Sequence, residues 1–432
     1  MHPEQHPPRL RERSRGLPAP TRHGRLKPRR ARVGIFKLLG ASLAVLLVSG
    51  AGVAAYAVVD TVSSIKPGIH LLSAPGQPAR PIPNVGAVDG AVNLLLTGTD
   101  TRTGQGGKFN NAADQAASSG AGNNDVTMVL HISKDHKHAT VISIPRDLMT
   151  AIPACPDGKG GSSYAQSSAM FNTTLSTGGL SCVVLTAEQL TGLSIPYAAE
   201  ISFDGVIGMS NAVGGVPVCL ATPLTDPYVG LNLPAGQQTL VGANALAFVR
   251  SRHGVGDGSD LGRISNQQLF LSALLRKVTS AGVLSNPVTL YTLAHAAVTN
   301  MVLSDTLTQP TTLVGIALAL KNVSLSNIVF LQYPTGTDPT DPNRVVASSE
   351  AVTLLKGALA NDQPIQLSGK LGVAAVPAPG TAPAPTPAPS STPAAAAPST
   401  ATATPTPGPT SVALPSNVTG QTADQQTCTK GN

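Results

Sequence analysis

Four short apolar runs, each meeting a small cluster of charge, constrain this chain more than any other feature. VNLLLTGT leads into Asp100-Thr-Arg102, Asn124-Asp125 opens onto VTMVLHIS, and TVISIP ends on Arg146-Asp147. ALAFV ends on Arg250-Ser-Arg252, with Asp260-Leu-Gly-Arg263 a few residues on. Runs of this length, mostly rich in β-branched residues, read as buried strands. Between and after them LTAEQLTGL, SFDGVIGMSNAV, SNQQLFLSALLRKV and PTTLVGIALALKN carry helical spacing of apolar residues. Strands alternating with helices predict an α/β fold: a central mixed β-sheet flanked by helices, an α/β/α sandwich. ALAFVR is among the runs read as strand, which would point Arg250 and Arg252 the same way.

The clusters are unusual in make-up. Seven arginines lie between Asp89 and Lys370, and five of them fall in these clusters. The rigid fork of donors on arginine suits the shared negative charge of a diphosphate, so Arg102, Arg146, Arg250, Arg252 and Arg263 are candidate ligands of a polyanion. One such arginine would ordinarily be a surface ion-pair partner; five in an arginine-poor stretch are not so explained. Asp100 and Asp125 are the candidates for Mg²⁺, which takes one or two protein carboxylates and completes its octahedron with water and phosphate oxygens. Asp100, in Gly-Thr-Asp-Thr, also fits an ordinary turn. Asp147 is expected to orient Arg146 or act as a base, and Asp260 to buttress Arg263 or another arginine. Walker, His-Glu-x-x-His, Gly-x-Ser-x-Gly and dinucleotide fingerprints are all absent, which argues against nucleotide-triphosphate hydrolysis of the usual kind.

The net charge of +7 and pI near 9.3 would suggest nucleic acid, but the basic residues are not spread over the chain. Residues 1–37 hold eleven Lys/Arg against Glu4 and Glu12, a local +9 that leaves −2 for everything else. The basicity belongs to a tail, and no nucleic-acid partner is expected. That tail runs into residues 38–59, which carry no charge and exceed the roughly 20 residues that span a bilayer. We read a single transmembrane helix, N-terminus cytoplasmic and the remainder outside the cell membrane. A cleaved signal peptide ending at Ala-Tyr-Ala, 55–57, is the rival reading; its apolar region would be unusually long.

Residues 60–87 read as a stalk, 88–371 as the extracytoplasmic folded domain, and 372–410 as an uncharged Pro/Ala/Thr-rich linker unable to bury a core. Residues 411–432 regain complexity around Cys428; they either dock back on the domain or fray. Outside the membrane, Cys155, Cys182, Cys219 and Cys428 favour two disulfides, and no Cys-x-x-Cys spacing suggests zinc. Connectivity does not follow from sequence; the expected pairs are Cys155 with Cys182, closing a Gly/Ser-rich excursion, and Cys219 with Cys428.

These elements, in this order, resemble the LytR-CpsA-Psr (LCP) family. The resemblance rests on NLLLTGTDTR (93–102), NDVTMVLHIS (124–133), VISIPRDL (141–148), the stretch 214–253 ending in RSRH, and SDLGRISNQQLFLSALLRKV (259–278). It implies an enzyme of cell-wall assembly that transfers a glycopolymer with one phosphate from a polyprenyl pyrophosphate carrier onto peptidoglycan, releasing polyprenyl phosphate. It further implies that Asp100 and Asp125 bind Mg²⁺, that Arg146, Arg250, Arg252, Arg263 and Gln267 contact the pyrophosphate, and that the prenyl chain lies in an apolar channel between sheet and helices. A lipid-pyrophosphate hydrolase and a non-catalytic regulatory protein are the competing readings. Two departures stand out: the long Gly/Ala/Asn-rich insert from Thr103 to Asn124, and Asn266 where the family often has arginine before the Gln-Gln pair.

Overall fold

VNLLLTGT, NDVTMVLHI and ATVISI fold as neighbouring strands, and their alternate side chains part to the two faces of one sheet. The computed structural model describes residues 63–78, 90–103, 112–118, 120–279, 287–380 and 411–432, together with Tyr56 and residues 59–61. The basic segment 1–37 and the apolar stretch 38–59, apart from Tyr56 and Val59, lie outside the described residues, and so do residues 381–410. Among the described residues no helix is long and apolar enough to cross a membrane.

The strands that matter below are β1 (Val92–Thr99), β2 (Asn124–Ile132), β3 (Ala139–Ile144), β4 (Tyr197–Ile201), β5 (Val216–Leu220), β6 (Gly236–Leu240), β7 (Met301–Leu303), β8 (Ile328–Gln332), β9 (Ala375–Pro377), β10 (Gly420–Thr422) and β11 (Thr427–Thr429). The helices are α1 (Ala112–Ala117), α2 (Thr174–Thr191), α3 (Phe203–Ala212), α4 (Ala243–Arg250), α5 (Asp260–Thr279), α6 (Pro287–Asn300), α7 (Pro310–Lys321) and α8 (Ser349–Ala360). The main sheet runs β7-β4-β1-β2-β3-β8-β10. It is mixed: β1 is parallel to β4 and β3 to β8, while β2 runs against both β1 and β3.

Leu95, Val129 and Ile142 face a core shared with Val183 and Ala187 of α2 and Leu355 and Ala358 of α8. All three sheet residues are fully buried, each contributing about 1.5–3 kcal/mol relative to exposure. The opposite face, with Leu94, Leu96, Leu130 and Val141, packs on Leu271 and Leu275 of α5 and Ile316 and Leu320 of α7. The sandwich expected from the sequence is therefore present. Helix α5 also turns Leu269, Phe270 and Ala273 to a second core, with Phe248 of α4 and Val216, Val218 and Leu220 of β5. That core lies under a smaller sheet of order β6-β5-β11-β9.

One strand assignment is overturned. ALAFVR is the body of α4, entered through Gly242 at φ +57° and ended at extended Ser251. Its apolar residues are as compatible with a buried helix as with a strand, and packing of Ala245, Ala247 and Phe248 against α5 and β5 decides for helix. Arg250 is thus the last helical residue and Arg252 lies beyond the break, so their shared direction does not come from strand alternation.

The folded region is also wider than residues 88–371. Within the stretch read as stalk, Ile69 bonds to the backbone of Leu303 and Asp305, and Leu71 is buried in the α2 core. Within the stretch read as linker, β9 pairs with β11; a Val-Ala-Pro sequence shows no periodicity, and Pro377 sits at the end of an edge strand, where a missing N–H costs little. Residues 411–432 dock: β10 completes the main sheet and β11 lies between β5 and β9 in the smaller one. Both expected disulfides are present, Cys155–Cys182 and Cys219–Cys428.

Candidate functional site

The site begins where β1 and β3 end and the antiparallel β2 begins, at the carboxyl edge of the parallel strands, a common location for ligands in α/β sheets. Gly98 faces Val126 and Thr99 faces Asn124, so Asp125 is an extra, bulged residue. A bulge re-aims its side chain and disturbs the ladder locally. Asn124, wholly buried, fixes the strand start by accepting from Thr174 Oγ1 and Leu175 N and donating to the Phe171 carbonyl. Asp100 lies just past β1, its Oδ1 accepting from Ser118 Oγ at 3.0 Å and Asn123 N at 2.7 Å. Gly122 passes so close, at φ +69°, that a Cβ there would fall 2.6 Å from that oxygen. The insert from Thr103 to Asn124 thus brings Ser118 and residues 120–123 back to the site as a support for Asp100.

Arginines close around these carboxylates. Arg146 donates from Nη1 to Asp125 Oδ1 at 2.6 Å and from Nε to Asp147 Oδ1 at 3.4 Å. Burial works against its charge, but Asp125 and Asp147 outweigh it and raise its pKa. Arg263, in the first turn of α5, reaches Asp260 at 2.5 Å and donates to the Asp125 carbonyl at 2.7 Å. Burial raises the Asp260 carboxyl pKa and Arg263 opposes that rise. Arg250 and Arg102 both lie over the Phe203 ring, at 4.2 and 5.3 Å from its centre. The Arg250 pKa is lowered by burial first and by the like charge of Arg102 second, while Asp125 works against that fall. The Nε atoms of Arg252 and Arg263 are buried and make no hydrogen bond among the described residues. Buried donors of this kind are costly unless a ligand satisfies them.

Arg252 is held by a residue the sequence did not single out. Asp226, 1% exposed, receives Ser251 Oγ at 2.8 Å, Arg252 N at 3.1 Å and Gly254 N at 3.2 Å on Oδ2, and Tyr228 N at 3.1 Å on Oδ1. Those donors lower its pKa although burial opposes them. In Thr-Asp-Pro-Tyr it looks like a turn aspartate. Gln267 donates to the Val249 carbonyl at 2.9 Å and Asn266 to that of Phe248 at 2.6 Å, so two amides of α5 cap the end of α4 that carries Arg250. Arg344, in a turn-like Asp-Pro-Asn-Arg outside the clusters, carries no local signal either. Its Nη1 comes 3.7 Å from Asp147 Oδ1.

All nine residues expected from the sequence, Asp100, Arg102, Asp125, Arg146, Asp147, Arg250, Arg252, Arg263 and Gln267, therefore gather at one edge of the fold. Behind them opens an apolar cavity of about 260 Å³. Asp125, Arg250, Arg263 and Gln267 line one part of it; Leu96, Met128, Phe270 and Leu274 line its apolar part. A second apolar cavity of about 260 Å³ shares Leu96, Met128, Leu271 and Leu274 with the first and continues between the sheet and α5 towards Leu320 of α7.

A family model described as LytR_cpsA_psr matches residues 72–359. The chain belongs to the LytR-CpsA-Psr family. Among LCP relatives, the cell wall biosynthesis protein LcpA of Corynebacterium glutamicum is 33% identical over 319 residues, which are 69% of this chain and 59% of LcpA. The chain thus spans well under two thirds of that relative's length, and 44% of the length of a second C. glutamicum protein, the probable cell wall biosynthesis protein LcpB, at 37% identity over 45% of this chain. The polyisoprenyl-teichoic acid–peptidoglycan teichoic acid transferase TagT of Bacillus subtilis is 28% identical over 56% of this chain and 70% of TagT. The crystal structure of protein gbs0355 from Streptococcus agalactiae shares the fold, with a TM-score of 0.50, 19% identity, and coverage of 63% of this chain and 87% of that one.

Proposed function

We propose that this LCP protein is a phosphotransferase that moves a glycopolymer, with one phosphate, from a polyprenyl pyrophosphate carrier onto peptidoglycan. The observation that carries this reading is the junction of two environments: Arg263, whose buried Nε makes no hydrogen bond among the described residues, stands with Arg250 at the edge of an apolar cavity that continues between sheet and helix. A lipid pyrophosphate is charged at one end and apolar at the other, and its two parts match the two parts of the site. The activity for which TagT is named, transfer of teichoic acid to peptidoglycan, supports the same reaction class.

In this reaction an acceptor sugar hydroxyl attacks the phosphorus that bears the glycopolymer. A new P–O bond forms, the bond to the bridging oxygen breaks, and polyprenyl phosphate leaves with that oxygen. Arg146, Arg250, Arg252, Arg263 and Arg102 stabilise the charge that grows on the phosphates. Asp147, between Arg146 and Arg344, receives the acceptor proton. Asp100 and Asp125 would hold Mg²⁺: both stand at adjoining strand ends, and among the described residues Asp100 Oδ2 accepts no hydrogen bond. The ion would supply further positive charge to the phosphate oxygens. With a basic segment before an uncharged span, and disulfides that persist in oxidising surroundings, the same reading has the catalytic domain outside the cell membrane.

The test incubates the protein with a polyprenyl pyrophosphate oligosaccharide, peptidoglycan fragments and Mg²⁺, with products read by mass spectrometry. A phosphodiester-linked conjugate that disappears with Asp100→Ala or Arg146→Ala supports transfer. Phosphate release without conjugate makes the protein a hydrolase, and tight lipid binding without turnover makes it a carrier-binding protein.

A further inference from the structure

We propose that residues 426–432, outside the family-matched 72–359, are a working part of the site: they form a clamp that positions Arg250 and Arg252. This rests on the phosphotransferase reading only for its ligand. The clamp grips the arginine-bearing segment at two levels. At the first, Thr429 Oγ1 donates to Asn266 Oδ1 at 2.6 Å, and Asn266 passes its Nδ2 on to the Phe248 carbonyl at 2.6 Å, at the end of α4 two residues before Arg250. Thr429 is 0% and Asn266 1% exposed, so no water competes for either bond. At the second, the chain beyond Thr429 lies along the loop that follows Arg252. Gly256 N donates to the Lys430 carbonyl at 3.0 Å, and Asn432 donates from N to the Gly254 carbonyl at 3.1 Å and from Nδ2 to the His253 carbonyl at 3.2 Å.

The clamp is itself anchored on β5. Cys428 is bonded to Cys219, Ala221 N donates to the Thr429 carbonyl, and Gly431 N donates to Thr222 Oγ1. The arginine loop is therefore gripped on one side by Asp226 and on the other by residues 430–432. This also gives Asn266 a use. Its short neutral amide links the clamp to α4, accepting from Thr429 and donating to Phe248.

Thr429→Val keeps the side-chain shape and removes one hydroxyl, and Thr429→Ser restores it. Two readouts are taken on the full chain: backbone amide exchange, and affinity for farnesyl pyrophosphate by calorimetry. For Thr429→Val we expect faster exchange across residues 250–256, unchanged exchange in β1–β3, and a roughly tenfold loss of affinity, with Thr429→Ser close to wild type in both. Global unfolding followed by circular dichroism separates this from general destabilisation, which would speed exchange in β1–β3 as well. If exchange at 250–256 stays at the wild-type rate in Thr429→Val, the clamp is refuted whatever the ligand result. If exchange rises there but the wild type binds no farnesyl pyrophosphate, the clamp stands and the pyrophosphate reading fails. If exchange rises and affinity holds, residues 426–432 are structural and the positioning role is refuted.

Discussion

Replacing Asp226 by asparagine is the sharpest probe of how the arginine loop is held. The carboxylate takes four donors and offers none, three on Oδ2 and one on Oδ1. Asparagine keeps the shape but has one acceptor. Its best orientation leaves the oxygen on Ser251, Arg252 and Gly254 and turns the NH₂ on Tyr228 N, donor against donor. One charge-assisted bond is lost, worth about 1.5–3 kcal/mol, and three become neutral, each weaker by about 1 kcal/mol or less. Allowing for non-additivity, the loss is about 3–5 kcal/mol, a large share of the roughly 5–15 kcal/mol that holds a typical domain. Asp226→Asn should therefore lower the urea midpoint and weaken farnesyl pyrophosphate binding at least about tenfold, since 1.4 kcal/mol of loop ordering already corresponds to that factor. The pH dependence has a definite sign. The Asp226 pKa is lowered in the fold, so its contribution is complete above the unfolded value near 3.8 and is lost as pH falls through the lower folded value. The reasoning is refuted if Asp226→Asn keeps wild-type affinity and midpoint, or if the wild type loses no more stability than the variant between pH 5 and pH 3.

Three further outcomes are expected. Arg146→Ala leaves Asp125, among the described residues, with only the 3.8 Å approach of Arg263 between side chains, and should cut transfer by about 10²–10³-fold; Arg146→Lys should rescue little, because one ammonium cannot hold Asp125 and Asp147 as the guanidinium does, and steady-state rates decide both. Chelation should abolish transfer and added Mg²⁺ restore it, with Asp100→Asn needing more Mg²⁺ for half-maximal rate; a chelator-insensitive rate would remove the metal from the proposal. Glu200, on β4, has its pKa raised by burial from 4.5 to about 7, so its proton stabilises the fold fully below pH 4.5 and less as pH rises to 7, by up to about 3 kcal/mol. Glu200→Gln should flatten that decline, and a urea midpoint equal to wild type at pH 8 would count against it.

The sequence by itself determined the sandwich and named most of the residues that gather at the candidate site. Period-two and 3.6 spacing decide which residues can share a face, and a chain with few arginines reveals where its arginines collect. Asp100, Asp125, Arg146 and Arg263 were legible for that reason, and so was the family. What only the tertiary structure decided is how these residues are held. The bulge at Asp125 depends on the pairing of two strands, and the grip of Asp226 on Arg252 joins residues 26 apart through a loop. Neither leaves a local pattern to read. ALAFVR went to helix because its local alternatives are close in energy and packing against α5 and β5 chose between them. Residues 411–432 had no periodicity to betray a strand, yet they complete both sheets, because edge strands there offered unpaired backbone groups that this segment satisfies. Local spacing is written in the sequence, whereas contacts between distant segments exist only once the chain has closed on itself.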